Sequence, residues 1–129
     1  MPKTIIAAPA APKAIGPYSH ALAVSGGTTI YLSGQIPLNP DTMNLVEGDF
    51  EAQARQAFHN LAAVAEAAGG DFSNLVKLTL YLTDLANFPV VNTVMAEFFS
   101  DPYPARAAVG VAQLPRGAAF EVEAIMVID

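Results

Sequence analysis

From Phe50 to Ala68, apolar side chains return every three or four residues: Phe50, Ala54, Ala57, Phe58, Leu61, Val64, Ala65 and Ala68. That spacing lines them along one face of an α-helix and leaves Gln53, Arg55, Gln56, Asn60 and Glu66 mostly between them. Asp49 stands where an N-cap belongs and Gly69-Gly70 where a C-cap belongs. The pattern therefore predicts a helix of about five turns. Such a helix cannot bury its own stripe, so the rest of the chain must supply a surface for it.

Residues 76–82 begin that surface. Val76, Leu78, Leu80 and Leu82 alternate with Lys77, Thr79 and Tyr81, the signature of a strand covered on one side. A second helix is predicted over 84–99, with Leu85, Phe88, Val91, Val94, Met95, Phe98 and Phe99 on one stripe and Pro89 tolerated in the first turn. Asp101-Pro102-Tyr103-Pro104 breaks it. Strands then follow over 105–112 and 118–128, joined by 113–117. Nearer the start, apolar β-branched stretches over 20–25 and 28–36 flank Gly26-Gly27 and predict a tight hairpin. The Pro/Ala-rich segment up to Pro17 predicts an extended lead-in. No repeat or linker divides the chain. The expectation is one α+β domain over residues 1–129, a mixed sheet with two helices packed on one face.

Composition narrows the function classes. The chain has 129 residues, 53% apolar and only 14% charged, which excludes a disordered chain. So much apolar surface in 13.5 kDa points to a homo-oligomer. The net charge is −6 and the six Lys and Arg residues are scattered. An acidic chain of this kind is a poor partner for phosphate backbones, so no nucleic-acid partner is expected. With no cysteine there is no disulfide, thiolate metal site or cysteine nucleophile, which suits the reducing cytoplasm. Prolines at 9, 12 and 17 break the apolar run after Lys3 before it reaches signal-peptide length, and no membrane span is visible. His20 and His59 are not at metal spacing, and no phosphate- or dinucleotide-binding glycine motif occurs. Neither a metal nor a cofactor is indicated.

Several residues stand out against this background. Arg106 opens an otherwise apolar strand, where a guanidinium needs paired acceptors. It is either a fork for a ligand carboxylate or phosphate, or the partner of Glu121 or Glu123 on the next strand. Glu121 and Glu123 share a face of the last strand, and a carboxylate there either orients a water or simply meets solvent. Tyr18 either closes a pocket or anchors the lead-in. Ser33-Gly34 either lets a ligand approach the backbone or marks a bulge. Asn92 interrupts an apolar stretch of the second helix and either caps a loop or reaches a ligand.

The segments Ala14-Ile15-Gly16-Pro17-Tyr18-Ser19, Leu32-Ser33-Gly34-Gln35-Ile36-Pro37, Gln53-Ala54-Arg55-Gln56-Ala57, Val91-Asn92, Pro104-Ala105-Arg106-Ala107 and Phe120-Glu121-Val122-Glu123-Ala124 together resemble the RidA/YjgF/YER057c/UK114 family. The likeness keeps its order from about residue 3 to residue 128. It implies a chorismate-mutase-like α+β fold and a homotrimer with three ligand clefts between subunits. It also implies hydrolysis of reactive 2-imino or enamine acids, such as 2-iminobutanoate and 2-iminopropanoate, to 2-oxo acids and ammonia. Matched position by position, Arg106 would hold the substrate carboxylate and Glu121 the attacking water. Tyr18, Ser33, Gly34, Asn92 and Ala108 would line the cleft. Many members have a cysteine where this chain has Ala108. That removes thiol chemistry but not hydrolysis, to which the position would contribute its backbone. The competing expectation is a trimer that binds small carboxylates and regulates without turnover.

Overall fold

The computed structural model describes residues 3–129. Its elements are β1 (Lys3–Ile6), β2 (Ala21–Val24), β3 (Thr28–Gln35), α1 (Phe50–Ala67), β4 (Leu75–Leu82), α2 (Phe88–Phe98), β5 (Ala105–Gly110) and β6 (Phe120–Ile128). The main sheet runs β3-β6-β4-β5. Its β4–β5 pairing is parallel, and β6 is antiparallel to both β3 and β4. The sheet is therefore mixed, and both helices share one core with it, as the sequence predicts.

The local signals for α1 hold in detail. The Asp49 carboxylate accepts from the Ala52 backbone N–H at 3.0 Å, and Gly69 takes φ +97, a left-handed conformation that suits glycine. Ala54, Ala57, Phe58, Leu61 and Ala65 are fully buried. The ring of Phe58 sits at the centre of the core, against Phe98 at 5.6 Å, Phe120 at 5.6 Å and Phe99 at 6.2 Å. The second helical segment divides: Asp84 caps a 3₁₀ turn over Leu85–Asn87, and α2 proper starts at Phe88 with Pro89 in its first turn.

Three expectations about pairing fail. The stretches around Gly26-Gly27 do not form a hairpin with each other. Both glycines do adopt positive φ, but β2 leaves the turn to pair with β1 and β3 leaves it to pair with β6. Leu32 of β3 is buried beneath the helices, whereas β2 has no fully buried side chain, so burial sorts the two strands into different sheets. Within the extended lead-in, Lys3–Ile6 forms the partner strand of β2; Met1 and Pro2 lie outside the described residues. Nor are the last two strands neighbours, since β4 lies between β5 and β6. Finally, Val76 is displaced from the buried face. A register shift between Leu75 and Lys77 makes it the extra residue of a bulge, so that Leu75, not Val76, joins the core.

Phe58→Ala removes the ring on which the aromatic cluster converges. It is expected to destabilise the protein by about 3–5 kcal/mol, measured by denaturant titration against the unaltered chain.

Candidate functional site

Arg106 lies on β5 opposite Leu78 of β4, and Leu78 in turn opposes Ala124 of β6. Since side chains alternate along a strand, Arg106 projects on the side that the helices cover. It does so at the sheet edge, where α2 and the turn 16–18 enclose a cavity. This cavity has a volume of about 500 Å³ and is lined by Ile15, Gly16, Tyr18, Phe88, Asn92, Arg106 and Ala108. The structure thus brings together Tyr18, Asn92, Arg106 and Ala108 of the sequence candidates.

No carboxylate pairs with the Arg106 guanidinium among the described residues. The ion pair to Glu121 or Glu123 weighed from the sequence does not form, because β4 separates the strands and the glutamates project from the other face. Instead the guanidinium carbon lies 4.9 Å from the Tyr18 ring centre and 5.0 Å from that of Phe88, and Nη1 donates to Met95 Sδ at 3.2 Å. These are cation–π and soft-acceptor contacts that hold a cation without neutralising it. Burial holds the Arg106 pKa below the ordinary arginine range, and Tyr18 acts in the opposite direction. The group remains protonated at any physiological pH. Beside it, Asn92 Oδ1 is buried with no hydrogen-bond partner among the described residues. Gly16 lets the guanidinium lie close to the backbone, since a Cβ there would stand 2.9 Å from Arg106 Nη2 and displace it.

The other candidates gather elsewhere. Glu121 opposes Tyr81 of β4, on the face of the sheet without helices. On β3, pairing jumps from Leu32↔Ala124 to Gln35↔Val122, which makes Ser33-Gly34 a bulge. The bulge also lets Glu121 fold over the backbone: a Cβ on Gly34 would overlap the Glu121 carboxylate and sit 2.9 Å from its Cδ. Of the two sequence readings of Gly34 the bulge is present, and the group lying against its backbone is the chain's own Glu121. Glu123 accepts a hydrogen bond from the Tyr81 hydroxyl, whereas Glu121 has no hydrogen-bond partner among the described residues. Burial raises the Glu121 pKa above the ordinary glutamate value, and the neighbouring Glu123 raises it further. Tyr81 is likewise raised, chiefly by its hydrogen bond to Glu123.

Sequence reasoning missed Phe88, Ile15 and Gly16 as cavity residues, and Met95 as a contact of Arg106. Phe88 and Met95 sat on the stripe assigned wholly to the core. The signal that could have found them is spacing, since Phe88, Asn92 and Met95 fall at i, i+4 and i+7 around the one polar interruption of that helix. Among the described residues no group of three or more His, Asp or Glu could hold a metal ion. No helix among them is long and apolar enough to cross a membrane.

The fold thus sets an unpaired arginine in an aromatic cradle on the helical side of the sheet and a carboxylate of raised pKa on the bare side. Residues 8–128 match the model of the family described as Endoribonuclease L-PSP. The 2-iminobutanoate/2-iminopropanoate deaminase of Dermatophagoides farinae is 49% identical over 99% of this chain and 98% of its own. The crystal structure of RidA from the Antarctic bacterium Psychrobacter sp. superimposes with a TM-score of 0.76 at 49% identity, covering 97% of this chain and 99% of that one. A structure of E. coli TdcF with bound serine aligns at a TM-score of 0.74 and 39% identity, covering 98% and 99%. The chain belongs to this family, and its fold is the RidA/YjgF fold.

Gly34→Ala is expected to drive the Glu121 side chain into another rotamer. The crystal structure of that variant would show the displacement, and an unmoved Glu121 would show that the bulge has slack.

Proposed function

We propose that this protein hydrolyses reactive 2-imino acids and their enamine tautomers to 2-oxo acids and ammonia. The observation that carries the reading is Arg106. A protonated guanidinium held in a cavity by two rings and a thioether, with no carboxylate of its own, is built to receive one from a ligand. Relatives that share nearly the whole chain are named as 2-iminobutanoate/2-iminopropanoate deaminases. An imino acid is activated at C2 already, so a carboxylate clamp and a positioned base suffice.

In the proposed reaction Arg106 binds the carboxylate and Tyr18, Asn92 and Ala108 surround the rest. Glu121 takes a proton from water as the oxygen bonds to C2, and the C=N π pair goes to nitrogen. Glu121 then returns that proton to nitrogen. The hydroxyl proton of the resulting carbinolamine passes to the amino nitrogen, the C–N bond breaks with its electron pair going to nitrogen, ammonia leaves and the 2-oxo acid forms. Glu123, already engaged by Tyr81, supports Glu121 and raises its basicity.

Within one chain Arg106 and Glu121 face opposite sides of the sheet with β4 between them. The cleft therefore requires a second copy, whose Glu121, Ser33 and Gly34 close the cavity around Arg106. Three copies arranged head to tail give three equivalent clefts, the homotrimer that the resemblance implies. Tyr31, 78% exposed on the bare face, and Val109, 40% exposed at the sheet edge, are available for such contacts. The absence of cysteine fits a cytoplasmic setting, and the charge of −6 argues against RNA as substrate despite the family's description.

The deciding assay couples a threonine dehydratase to this protein and follows 2-oxobutanoate or ammonia release from fresh 2-iminobutanoate. Arg106→Lys keeps the charge but loses the fork, and kcat/KM is expected to fall by about 30- to 150-fold, roughly 2–3 kcal/mol. Arg106→Ala should lose more and weaken 2-oxobutanoate binding. Full activity in folded Arg106→Ala would sink the mechanism, and binding of 2-oxobutanoate without turnover by the unaltered protein would favour a regulatory trimer instead.

The raised Glu121 pKa sets the pH dependence. The base form is lost at a higher pH than for an ordinary glutamate, so kcat/KM should fall as pH drops, with a midpoint above 4.5. By linkage the folded state binds that proton more readily than the unfolded chain, so Glu121 favours folding as pH falls through the same window. Glu121→Gln should cut turnover by about 10²-fold and abolish the limb. Refolding Arg106→Ala and Glu121→Gln chains together should restore activity, because a cleft between copies can then pair an intact Arg106 with an intact Glu121. No recovery would place both groups in one chain.

A further inference from the structure

We infer that Met95 is a positioning residue for this reaction, a neutral anchor that fixes the Arg106 guanidinium for the incoming carboxylate. The inference rests on the proposed function. It goes beyond it by assigning a role to a side chain that touches Arg106 and is not itself among the residues lining the cavity.

Met95 is fully buried, and its Sδ accepts from Arg106 Nη1 at 3.2 Å. Phe88, one face of the aromatic sandwich, sits seven residues earlier on the same stripe of α2, and Asn92 lies between them. One helix face thus meets the guanidinium with a ring and a thioether, with the Asn92 amide between them in sequence. Nη2 points the other way, toward Gly16, so the two terminal nitrogens are held on different sides.

The choice of sulfur matters because of what it leaves undone. A glutamate or aspartate at this point would take the guanidinium as a bidentate partner and neutralise it, leaving little attraction for a ligand. An aliphatic side chain would leave Nη1–H buried without an acceptor and the guanidinium free to rotate. A thioether is a weak, polarizable acceptor without charge. It satisfies the inner N–H, restrains the fork and keeps the full positive charge for the substrate carboxylate. Because the carboxylate is bound in substrate, transition state and product alike, the restraint acts on all three.

The test compares Met95→Leu, which keeps the volume and removes the acceptor, with Met95→Gln, which supplies an uncharged oxygen acceptor on a chain of similar length. Met95→Leu is expected to raise KM for 2-iminobutanoate and Kd for 2-oxobutanoate together by about 3- to 10-fold, with kcat near that of the unaltered protein. Met95→Gln should restore both to within about 2-fold. Melting temperatures on the same samples show that both variants are folded; should Met95→Gln not fold, Met95→Leu alone still decides. Unchanged KM and Kd in folded Met95→Leu would overturn the inference. So would a loss confined to kcat, or a folded Met95→Gln no better than Met95→Leu. Unaltered protein that neither hydrolyses the imine nor binds the oxo acid would instead overturn the proposed function beneath it.

Discussion

The register of β4 governs the rest of the molecule. Leu75, Leu78, Leu80 and Leu82 are all fully buried in the core shared with α1 and α2, so β4 cannot slip by one residue without turning them outward. With β4 fixed, its parallel partner β5 carries Arg106 opposite Leu78, and its antiparallel partner β6 carries Glu121 opposite Tyr81. One strand thereby sends the anion-binding group to the helical side of the sheet and the basic group to the bare side. The separation of Arg106 and Glu121 onto opposite faces follows from strand alternation alone, and it is what the proposed cleft between copies rests on.

The environment of Arg106 is a balance of costs. Burying a cation without an anion is unfavourable, and its lowered pKa records that. Tyr18 and Phe88 offset part of the cost through their ring faces, and Met95 satisfies one inner N–H. None of them cancels the charge. What remains is a half-buried positive charge with no anion beside it among the described residues, the feature on which the proposed carboxylate clamp rests. Asn92 Oδ1, buried and unpartnered beside it, is a second unmet polar group in the same cavity wall. It is the one fully buried side-chain oxygen or nitrogen without a hydrogen-bond partner among the described residues.

Glu121 shows the complementary arrangement. An extra residue in β3 creates the Ser33-Gly34 bulge, and the missing Cβ of Gly34 makes room for the carboxylate. Glu123, two residues on, is occupied by Tyr81. The two acids are chemically identical and share a face, yet backbone irregularity and one phenol give them different surroundings.

Legible in the residues alone were α1 with its flanking Asp49 and Gly69, the alternation that buries one side of β4 from Leu78 to Leu82, and the polar outliers Arg106, Glu121 and Asn92. These are local properties: a three- or four-residue repeat, or a two-residue one, tells which side of an element is buried whatever lies against it. Only the tertiary structure decided which strands are neighbours. Gly26-Gly27 makes its turn, yet β2 and β3 part company there, because backbone hydrogen bonds are the same for every strand and the choice between them is made by distant apolar surfaces. The same reason hid the Val76 bulge, the approach of Glu121 to Gly34, and the double use of Phe88 and Met95. A helical stripe says that those two side chains turn inward, but not that what they meet there is the guanidinium of a strand still to come.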